Sequence, residues 1–165
     1  MVDWNSLVRE QSAALFGIAW RILGHAQDAE DVVQEVFCEA HRQSNGAGIV
    51  CWPALLRRMA TCRAIDALRR RRITIPLDCG ELTRTKDDPQ AIAAGHELEV
   101  RLRVALAELA PREAEVFCLR YFEELSYRGI AETLGISATA ASTALHQARS
   151  RLEELLNKPD ERGVP

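Results

Sequence analysis

Apolar residues recur at spacings of three and four along most of this chain. No stretch alternates between apolar and polar residues with the period of two that a half-buried strand requires. One helical series runs from 4 to 23, where Gly24 marks an end, and another from 28 to 42. A third begins at Trp52-Pro53, with proline in the favoured first turn, and ends in the arginines 69–72. The pattern predicts an all-α fold.

The helical spacing stops after the third helix. Residues 76–92 contain Pro76 and Gly80 and are rich in acids, which predicts a short acidic linker. Helical spacing returns at about 91–109 and again from Pro111. We therefore predict two small helical modules, 1–75 and 93–158, joined by the linker 76–92 and followed by a tail, 159–165.

The second module ends in the pattern of a helix-turn-helix. LSYRGIAETL precedes Gly135, which suits a left-handed turn position, and Ser137 can cap the helix that follows. In such a motif the second helix lies in the DNA major groove. Residues 138–148 include no Lys or Arg, so this helix lacks the usual phosphate contacts. We expect that it does not hold DNA alone.

Charge is distributed unevenly, although the formal net charge is only -3. Residues 57–72 hold seven arginines and a single acid, Asp66, whereas residues 76–100 hold six acids against two basic residues. A local basic block is the electrostatic footprint of nucleic-acid binding. The alternative is a solvated helix end, where cations favour the dipole. Seven arginines exceed what that end requires, so nucleic-acid contact is favoured.

Sequence signals for catalysis, metal binding and export are absent. The five cysteines form no C-x-x-C pair, so no zinc site is expected. No nucleophile elbow, phosphate-binding glycine loop or His-Glu metal motif occurs. No signal peptide or membrane-length apolar run is visible. We predict a cytoplasmic protein with reduced thiols and with no catalytic residue, cofactor, metal or membrane contact of its own.

Three segments, in this order and spacing, resemble one family. They are DAEDVVQEVF, AIDALRRRR and LAPREAEVFCLRYFEELSYRGIAETLGIS. The chain is similar, over roughly 4–157, to bacterial sigma factors of the extracytoplasmic-function (ECF) group of the sigma-70 family. The resemblance implies a dissociable subunit of RNA polymerase, not an enzyme. The first module would bind core polymerase and melt the minus-ten promoter element, and the second would read the minus-thirty-five element. An anti-sigma factor would be a further partner.

The resemblance also implies three sets of contact residues. Core-polymerase binding falls on an acidic stripe of the second helix: Asp28, Glu30, Asp31, Gln34 and Glu35. Minus-ten DNA falls on a loop and the third helix: Gln43, Ser44, Asn45, Trp52, Arg57, Arg58, Arg63, Arg69, Arg70, Arg71 and Arg72. Minus-thirty-five DNA falls on the helix-turn-helix: Tyr127, Arg128, Ser137, Thr139, Ser142, Thr143, His146, Gln147 and Arg149. From spacing alone, the acidic stripe is more typical of a solvated helix face.

Two positions have competing interpretations. Trp52 could stack on a base flipped out of the duplex, but core packing is the commoner role of a large aromatic. In the second module, Ser142, Ala144 and Gln147 stand where the family usually has basic residues. Gln can still bond adenine in bidentate fashion. We therefore hypothesise that promoter choice rests on the first module more than is usual.

Three rival functions remain open from the sequence. A free-standing helix-turn-helix regulator is disfavoured, because the second helix of its motif would have to supply its own phosphate contacts. A degenerate sigma-like interaction protein stays open because the chain departs from the family pattern at Thr61, Cys62, Ser142 and Ala144. An enzyme or thiol sensor that uses the cysteines is the third rival, and thiol labelling in the native state would test it.

Overall fold

The computed structural model of the protein describes residues 2–44, 51–74 and 89–158. All the regular structure in these ranges is α-helical, which confirms the predicted all-α fold. The helices are α1 (Trp4–Leu23), α2 (Ala26–Gln43), α3 (Trp52–Thr74), α4 (Pro89–Glu108), α5 (Pro111–Tyr121), α6 (Tyr127–Leu134) and α7 (Ala138–Asn157). Outside the described residues lie Asn45, the predicted linker as far as 88, the predicted tail and the side chain of Arg72.

The helix ends follow local chemistry. Gly24 ends α1 in the left-handed region at φ 67°, where an L side chain would be strained. The helix α2 begins at Ala26, two residues earlier than its acids suggested, because the ring of His25 accepts the Asp28 N–H at 3.4 Å and caps it. The helix α4 begins at Pro89, near the expected 91, which is within ordinary boundary scatter.

The first three helices pack around one apolar centre. Leu15, Ile18 and Ile22 form the buried face of α1, and Val36 and Leu56 meet them from α2 and α3. Each such side chain contributes about 1.5–3 kcal/mol through the area it removes from water. This centre fixes the outer faces of α2 and α3, which carry the predicted polymerase-binding and minus-ten residues.

The helix-turn-helix has a smaller apolar centre of its own. Leu119 of α5, Ile130 and Leu134 of α6, and Ala141 and Leu145 of α7 are buried together there. The small Ala141 allows α7 to approach closely, while Ile130 and Leu145 fill the space between the helices. This packing fixes which face of α7 points outward.

The two predicted modules are packed against each other. The helix α3 contacts α4, α5 and α6. We call the contact surface between the first half, α1–α3, and the second half, α4–α7, the module boundary. Leu106, Cys118 and Leu152 of the second half belong to the same buried apolar cluster as Leu56 and Ile65 of the first. A continuous apolar core stabilises this arrangement, because separating the halves would expose that area to water.

Candidate nucleic-acid interface

The helix-turn-helix presents its predicted DNA-facing residues on an exposed surface. Ser137 Oγ accepts the Ala140 N–H at 3.0 Å and so caps α7, while Gly135, at φ 66°, turns the chain out of α6. The other N–H groups of the first turn remain free of intrahelical partners and can meet an anion. The exposed residues are Tyr127, Arg128, Ser137, Thr139, Ser142, Thr143, His146, Gln147 and Arg149.

Ala144 does not belong to this exposed face. Its side chain is 7% exposed and packs in the helix-turn-helix core beside Leu145. Its grouping with Ser142 and Gln147 as the replacement of a DNA-facing basic residue was therefore wrong. A side chain three or four positions from a core residue lies on the same helix face, and Ala144 follows Ala141 at that spacing. A long basic side chain would not fit there.

Two polar residues of this surface already have partners within their own helices. Thr143 Oγ1 donates to the carbonyl oxygen of Thr139 at 3.0 Å, a common use of a mid-helix hydroxyl. Arg128 Nε lies 3.0 Å from Glu132 Oε1, one turn along α6. Exposed pairs of this kind are weak, so Arg128 can exchange Glu132 for a phosphate at little cost.

Arg120 supports the predicted contact residue Tyr127 and was not identified from the sequence. Its guanidinium carbon lies 5.7 Å from the centre of the Tyr127 ring, within cation–π range. Its Nη1 donates to the carbonyl oxygen of Leu125 at 3.0 Å and so ties the turn between α5 and α6. The pairing depends on how that turn folds, and no spacing rule along the chain signals it.

The arginines of α3 do not form one uniform basic stripe. Arg70 is exposed, whereas Arg57, Arg58, Arg63, Arg69 and Arg71 are half-buried. Arg69 Nη2 donates to the carbonyl oxygen of Leu109 at 2.7 Å, and its Nε to that of Ala107 at 3.4 Å. Asp66, the expected partner of a neighbouring arginine, is 3.9 Å from Arg69 Nη1. Arg69 therefore lies closer to the carbonyl oxygens of Ala107 and Leu109 than to the carboxylate of Asp66.

The tail of α3 also meets the acidic stripe of α2. Arg71 Nη1 lies 3.2 Å from Asp28 Oδ2, which joins a predicted DNA-binding residue to a predicted polymerase-binding one. An open groove of about 440 Å³ separates the two helices, lined by His25, Asp28, Asp31, Val32, Glu35, Ala67, Arg70 and Arg71. The other stripe residues, Glu30, Asp31, Gln34 and Glu35, are exposed. The stripe can therefore meet a basic surface on a partner.

Trp52 packs at the start of α3 rather than standing free. Its ring meets that of Trp4 edge-on, with centroids 5.0 Å apart, and Trp4 also contacts His41 at 5.0 Å. Trp52 is partly buried against the core, so its packing role is present in this structure. Nearby, Gln43 Nε2 donates to Glu39 Oε1 at 2.8 Å, and Ser44 Oγ donates to the carbonyl oxygen of His41 at 2.7 Å.

Thr61 and Cys62, the two α3 residues that depart from the family pattern, face inward. Thr61 is 1% exposed, and its Oγ1 donates to the Arg57 carbonyl oxygen at 2.9 Å. Cys62 Sγ donates to Glu115 Oε1 of α5 at 2.9 Å, across the module boundary. Burial, with help from Glu115, raises the pKa of Cys62 from 9.0 to about 12. Burial also raises the pKa of Cys118. These residues serve the boundary and the core.

A second charged contact crosses the boundary beside Phe122. Arg21 Nη1 donates to the carbonyl oxygen of Phe122 at 2.6 Å and to Glu123 Oε1 at 2.8 Å. Burial raises the pKa of Glu123, and the guanidiniums of Arg21 and Arg57 oppose this shift. Arg57 Nε is buried, and its N–H has no hydrogen-bond acceptor among the described residues. No local pattern along the chain signals this contact, because Arg21 and Glu123 are about a hundred residues apart.

Among the described residues, no group of three or more His, Cys, Asp or Glu side chains could hold a metal ion. None of the described helices is both long and apolar enough to cross a membrane.

Comparison with known proteins identifies two matching regions. The family model for Sigma-70 region 2 matches residues 7–73, and that for Sigma-70 region 4 matches residues 99–152. The RNA polymerase sigma factor YlaC of Bacillus subtilis is 30% identical over 168 residues, covering 95% of this chain and 94% of that protein.

Two further similarities concern a longer relative and a solved structure. The ECF RNA polymerase sigma factor SigE of Mycolicibacterium smegmatis is 30% identical over 162 residues. That match covers 96% of this chain, which spans only 63% of the length of SigE. The fold is similar to the sigma factor RpoE of Bartonella quintana, solved with the anti-sigma factor NepR. The TM-score is 0.58 at 20% identity, covering 96% of this chain and 99% of RpoE.

Proposed function

The chain belongs to the extracytoplasmic-function group of the sigma-70 family, and on that premise we propose that it is an alternative sigma factor. It binds core RNA polymerase and directs it to a small set of promoters, where transcription starts. It acts as a dissociable subunit in the cytoplasm and not as an enzyme. It needs no cofactor of its own.

One observation carries the proposal beyond family membership. The chain combines an arginine-rich helix, α3, with a helix-turn-helix. The predicted DNA-facing surface of its second helix, α7, is exposed but almost uncharged. Among the predicted DNA-facing residues on α7, Arg149 is the single Lys or Arg. A free regulator would need several phosphate contacts on that face. A sigma factor does not, because the polymerase holds it near the promoter and makes the second contact effectively intramolecular.

Polymerase binding rests on the acidic stripe of α2. Glu30, Asp31, Gln34 and Glu35 are exposed, and Asp28 is half-buried beside Arg71. Such a surface favours a basic partner and increases the rate of encounter with it. Because Asp28 is paired with Arg71, a basic partner group at Asp28 would also free Arg71 for DNA.

DNA contact is divided between the two modules. Minus-ten DNA meets Gln43, Ser44, Asn45, Trp52 and the α3 arginines, where charge supplies most of the affinity. Minus-thirty-five DNA meets the exposed α6–α7 face, where Gln147 can bond adenine and Ser142 can bond several base edges. We expect the first module to supply the larger share of the binding free energy.

An anti-sigma factor is a further expected partner. This fold is similar to that of the Bartonella quintana RpoE, whose structure was solved in complex with the anti-sigma factor NepR. We propose that a protein of that kind holds this chain inactive.

Run-off transcription is the decisive test. Purified core polymerase is incubated with and without this chain on a pool of the organism's promoter fragments. Discrete new transcripts establish a sigma factor, and their upstream sequences reveal what α7 reads. Binding to core polymerase without any transcript would instead support the degenerate interaction protein. Binding to neither polymerase nor DNA would refute the proposal.

A further inference from the structure

Methyl groups are prominent on the exposed face of α7. Ala140, Thr143 and Gln147 follow one another at helical spacing, so they share one side of the helix, and all three are exposed. Ala141 and Ala144 turn inward to the helix-turn-helix core instead. Ala140 was not among the residues predicted to face DNA, although it lies one turn before Thr143. The outward side of α7 therefore carries an alanine, a threonine and a glutamine in one row.

The hydroxyl of Thr143 is already used inside its own helix. Its Oγ1 donates to the carbonyl oxygen of Thr139 at 3.0 Å, so its single hydroxyl proton is not available to a base. The same bond selects the rotamer, because a β-branched side chain has few allowed χ1 values in a helix. The Cγ2 methyl leaves Cβ along the other branch. Thr143 therefore offers DNA a methyl group in a fixed position and not a hydroxyl donor.

Thymine is the base that presents a methyl group in the major groove. Its C5 methyl makes apolar contacts with alanine and with the threonine methyl, whereas adenine is bonded by glutamine. Guanine is most often read by arginine or lysine, and residues 138–148 contain neither. The row on α7 thus matches A·T pairs, with methyl groups suited to thymine beside an amide suited to adenine.

We propose that Thr143 is a specificity-determining residue that selects thymine in the minus-thirty-five element by its C5 methyl, with Ala140 adding a second methyl to the contact. The inference rests on the proposed function, since it assumes that α7 lies in the major groove of promoter DNA. It goes further by naming the base group that is read. An uncharged helix can discriminate in this way, because contact with a methyl group needs no Lys or Arg.

The test compares thymine with deoxyuridine, which pairs in the same way but lacks the C5 methyl. The probe is the promoter duplex that gives the strongest run-off transcript, synthesised with single thymines of its minus-thirty-five element replaced by deoxyuridine. Thymine and deoxyuridine templates with transcripts of different length compete for a limiting amount of holoenzyme, made from core polymerase and the full chain. Because both templates meet the same protein, a loss of folded protein cancels from the transcript ratio.

Two substitutions of Thr143 separate its methyl from its hydroxyl. Thr143→Ser keeps the hydroxyl and its bond to Thr139 but deletes the methyl, whereas Thr143→Val keeps the methyl and deletes the hydroxyl. Serine, threonine and valine have similar helix propensities, so α7 should stay folded in both variants, which circular dichroism checks. Thr133→Ser is the matched control, because Thr133 Oγ1 makes the same kind of bond, to the Gly129 carbonyl oxygen at 2.7 Å, in α6.

The natural protein should prefer thymine at one or more positions of the element. We expect deoxyuridine there to lower the transcript ratio about threefold to fivefold, the effect of removing one buried methyl group. Thr143→Val and Thr133→Ser should retain this preference, whereas Thr143→Ser should reduce it to less than about twofold. Ala140→Gly should weaken the preference, since it removes the second methyl group.

The outcomes separate the inference from the function on which it rests. Equal use of thymine and deoxyuridine templates by the natural protein, or an element without any A·T pair, overturns the inference while run-off transcription stands. A preference that persists in Thr143→Ser overturns it as well, because the Thr143 methyl is then not the group that reads the base. Absence of any transcript refutes the proposed function and the inference with it.

Discussion

Among the described acidic residues, the half-buried Glu123 is the one whose pKa clearly departs from its ordinary value. Burial raises its pKa above the ordinary 4.5, while Arg21 and Arg57 oppose that shift without cancelling it. A carboxyl group whose folded-state pKa is raised favours folding most when it is protonated. Its contribution is therefore complete below about pH 4.5 and is lost as the pH rises through the raised folded-state value.

Glu123→Gln should remove this pH dependence. We expect the free energy of unfolding of the natural protein, minus that of the variant, to fall as the pH rises from about 4.5 and then level off. Urea denaturation at a series of pH values measures the difference. A difference that rises over this interval would show that pairing with Arg21 outweighs burial at Glu123.

Thiol reactivity distinguishes structural cysteines from a sensor. At pH 8, a thiol of pKa about 12 has roughly a thousandfold less thiolate than one of pKa 9.0. We expect native Cys62 and the buried Cys118 to be alkylated at least about tenfold more slowly than Cys38 and Cys51, as measured by peptide mass spectrometry. Rapid labelling of Cys62 in the natural protein would revive the thiol-sensor alternative.

At the scale of the element, the stability of α7, the second helix of the helix-turn-helix, depends on its N-terminal cap. Ser137 Oγ accepts the Ala140 N–H at 3.0 Å, so Ser137→Ala leaves that donor without its partner. We expect a loss of about 1 kcal/mol in the free energy of unfolding. The melting temperature should fall by about 2–4 °C for a chain of this size. Calorimetry measures the change.

Ser150→Ala provides the control for this prediction, because Ser150 is exposed within the same helix. Alanine has the higher helix propensity at an interior position, so no loss of stability is expected. Equal destabilisation by the two substitutions would show that the Ser137 hydrogen bond is not what stabilises the start of α7.

The nearly neutral face of α7 is exposed, whereas the basic helix α3 is partly covered by the second half of the molecule. Ser142, His146 and Gln147 are exposed, but Arg69 is bound to the end of α4. Under the proposed function, α7 would bind DNA weakly through an exposed face, whereas the arginines of α3 would bind it more strongly but are partly covered. Because a tether raises the effective concentration of a weak contact, both features suit a subunit that acts only on the polymerase.

At the scale of the whole molecule, this division predicts how promoter recognition responds to mutation. Replacing Ser142, His146 and Gln147 together with Ala should reduce run-off transcription but not abolish it, because we propose that the first module supplies most of the DNA-binding free energy. Arg128→Ala, in the same helix-turn-helix, serves as a comparison that removes a charge instead of base-edge groups. Complete loss of transcripts in the triple variant would contradict the prediction.

The sequence by itself determined the helices and the family. The period of its apolar residues, its glycine and proline stops, and its Ser137 cap are local signals, and the observed helices follow them closely. The exposed face of α7 also follows from that period, and so does the burial of Ala144, which lies three residues after the core residue Ala141.

Only the tertiary structure determines which groups the charged side chains contact. Arg69 was read as a DNA contact because it lies in a basic block, yet its ligands are carbonyls about forty residues away. Arg21, Glu115 and Glu123 were not singled out, since their partners lie 53 to 102 residues along the chain. Helical period reports which face of a helix is buried but not which other helix covers it. That choice depends on the fit of side chains across the boundary, which is a property of the assembled core.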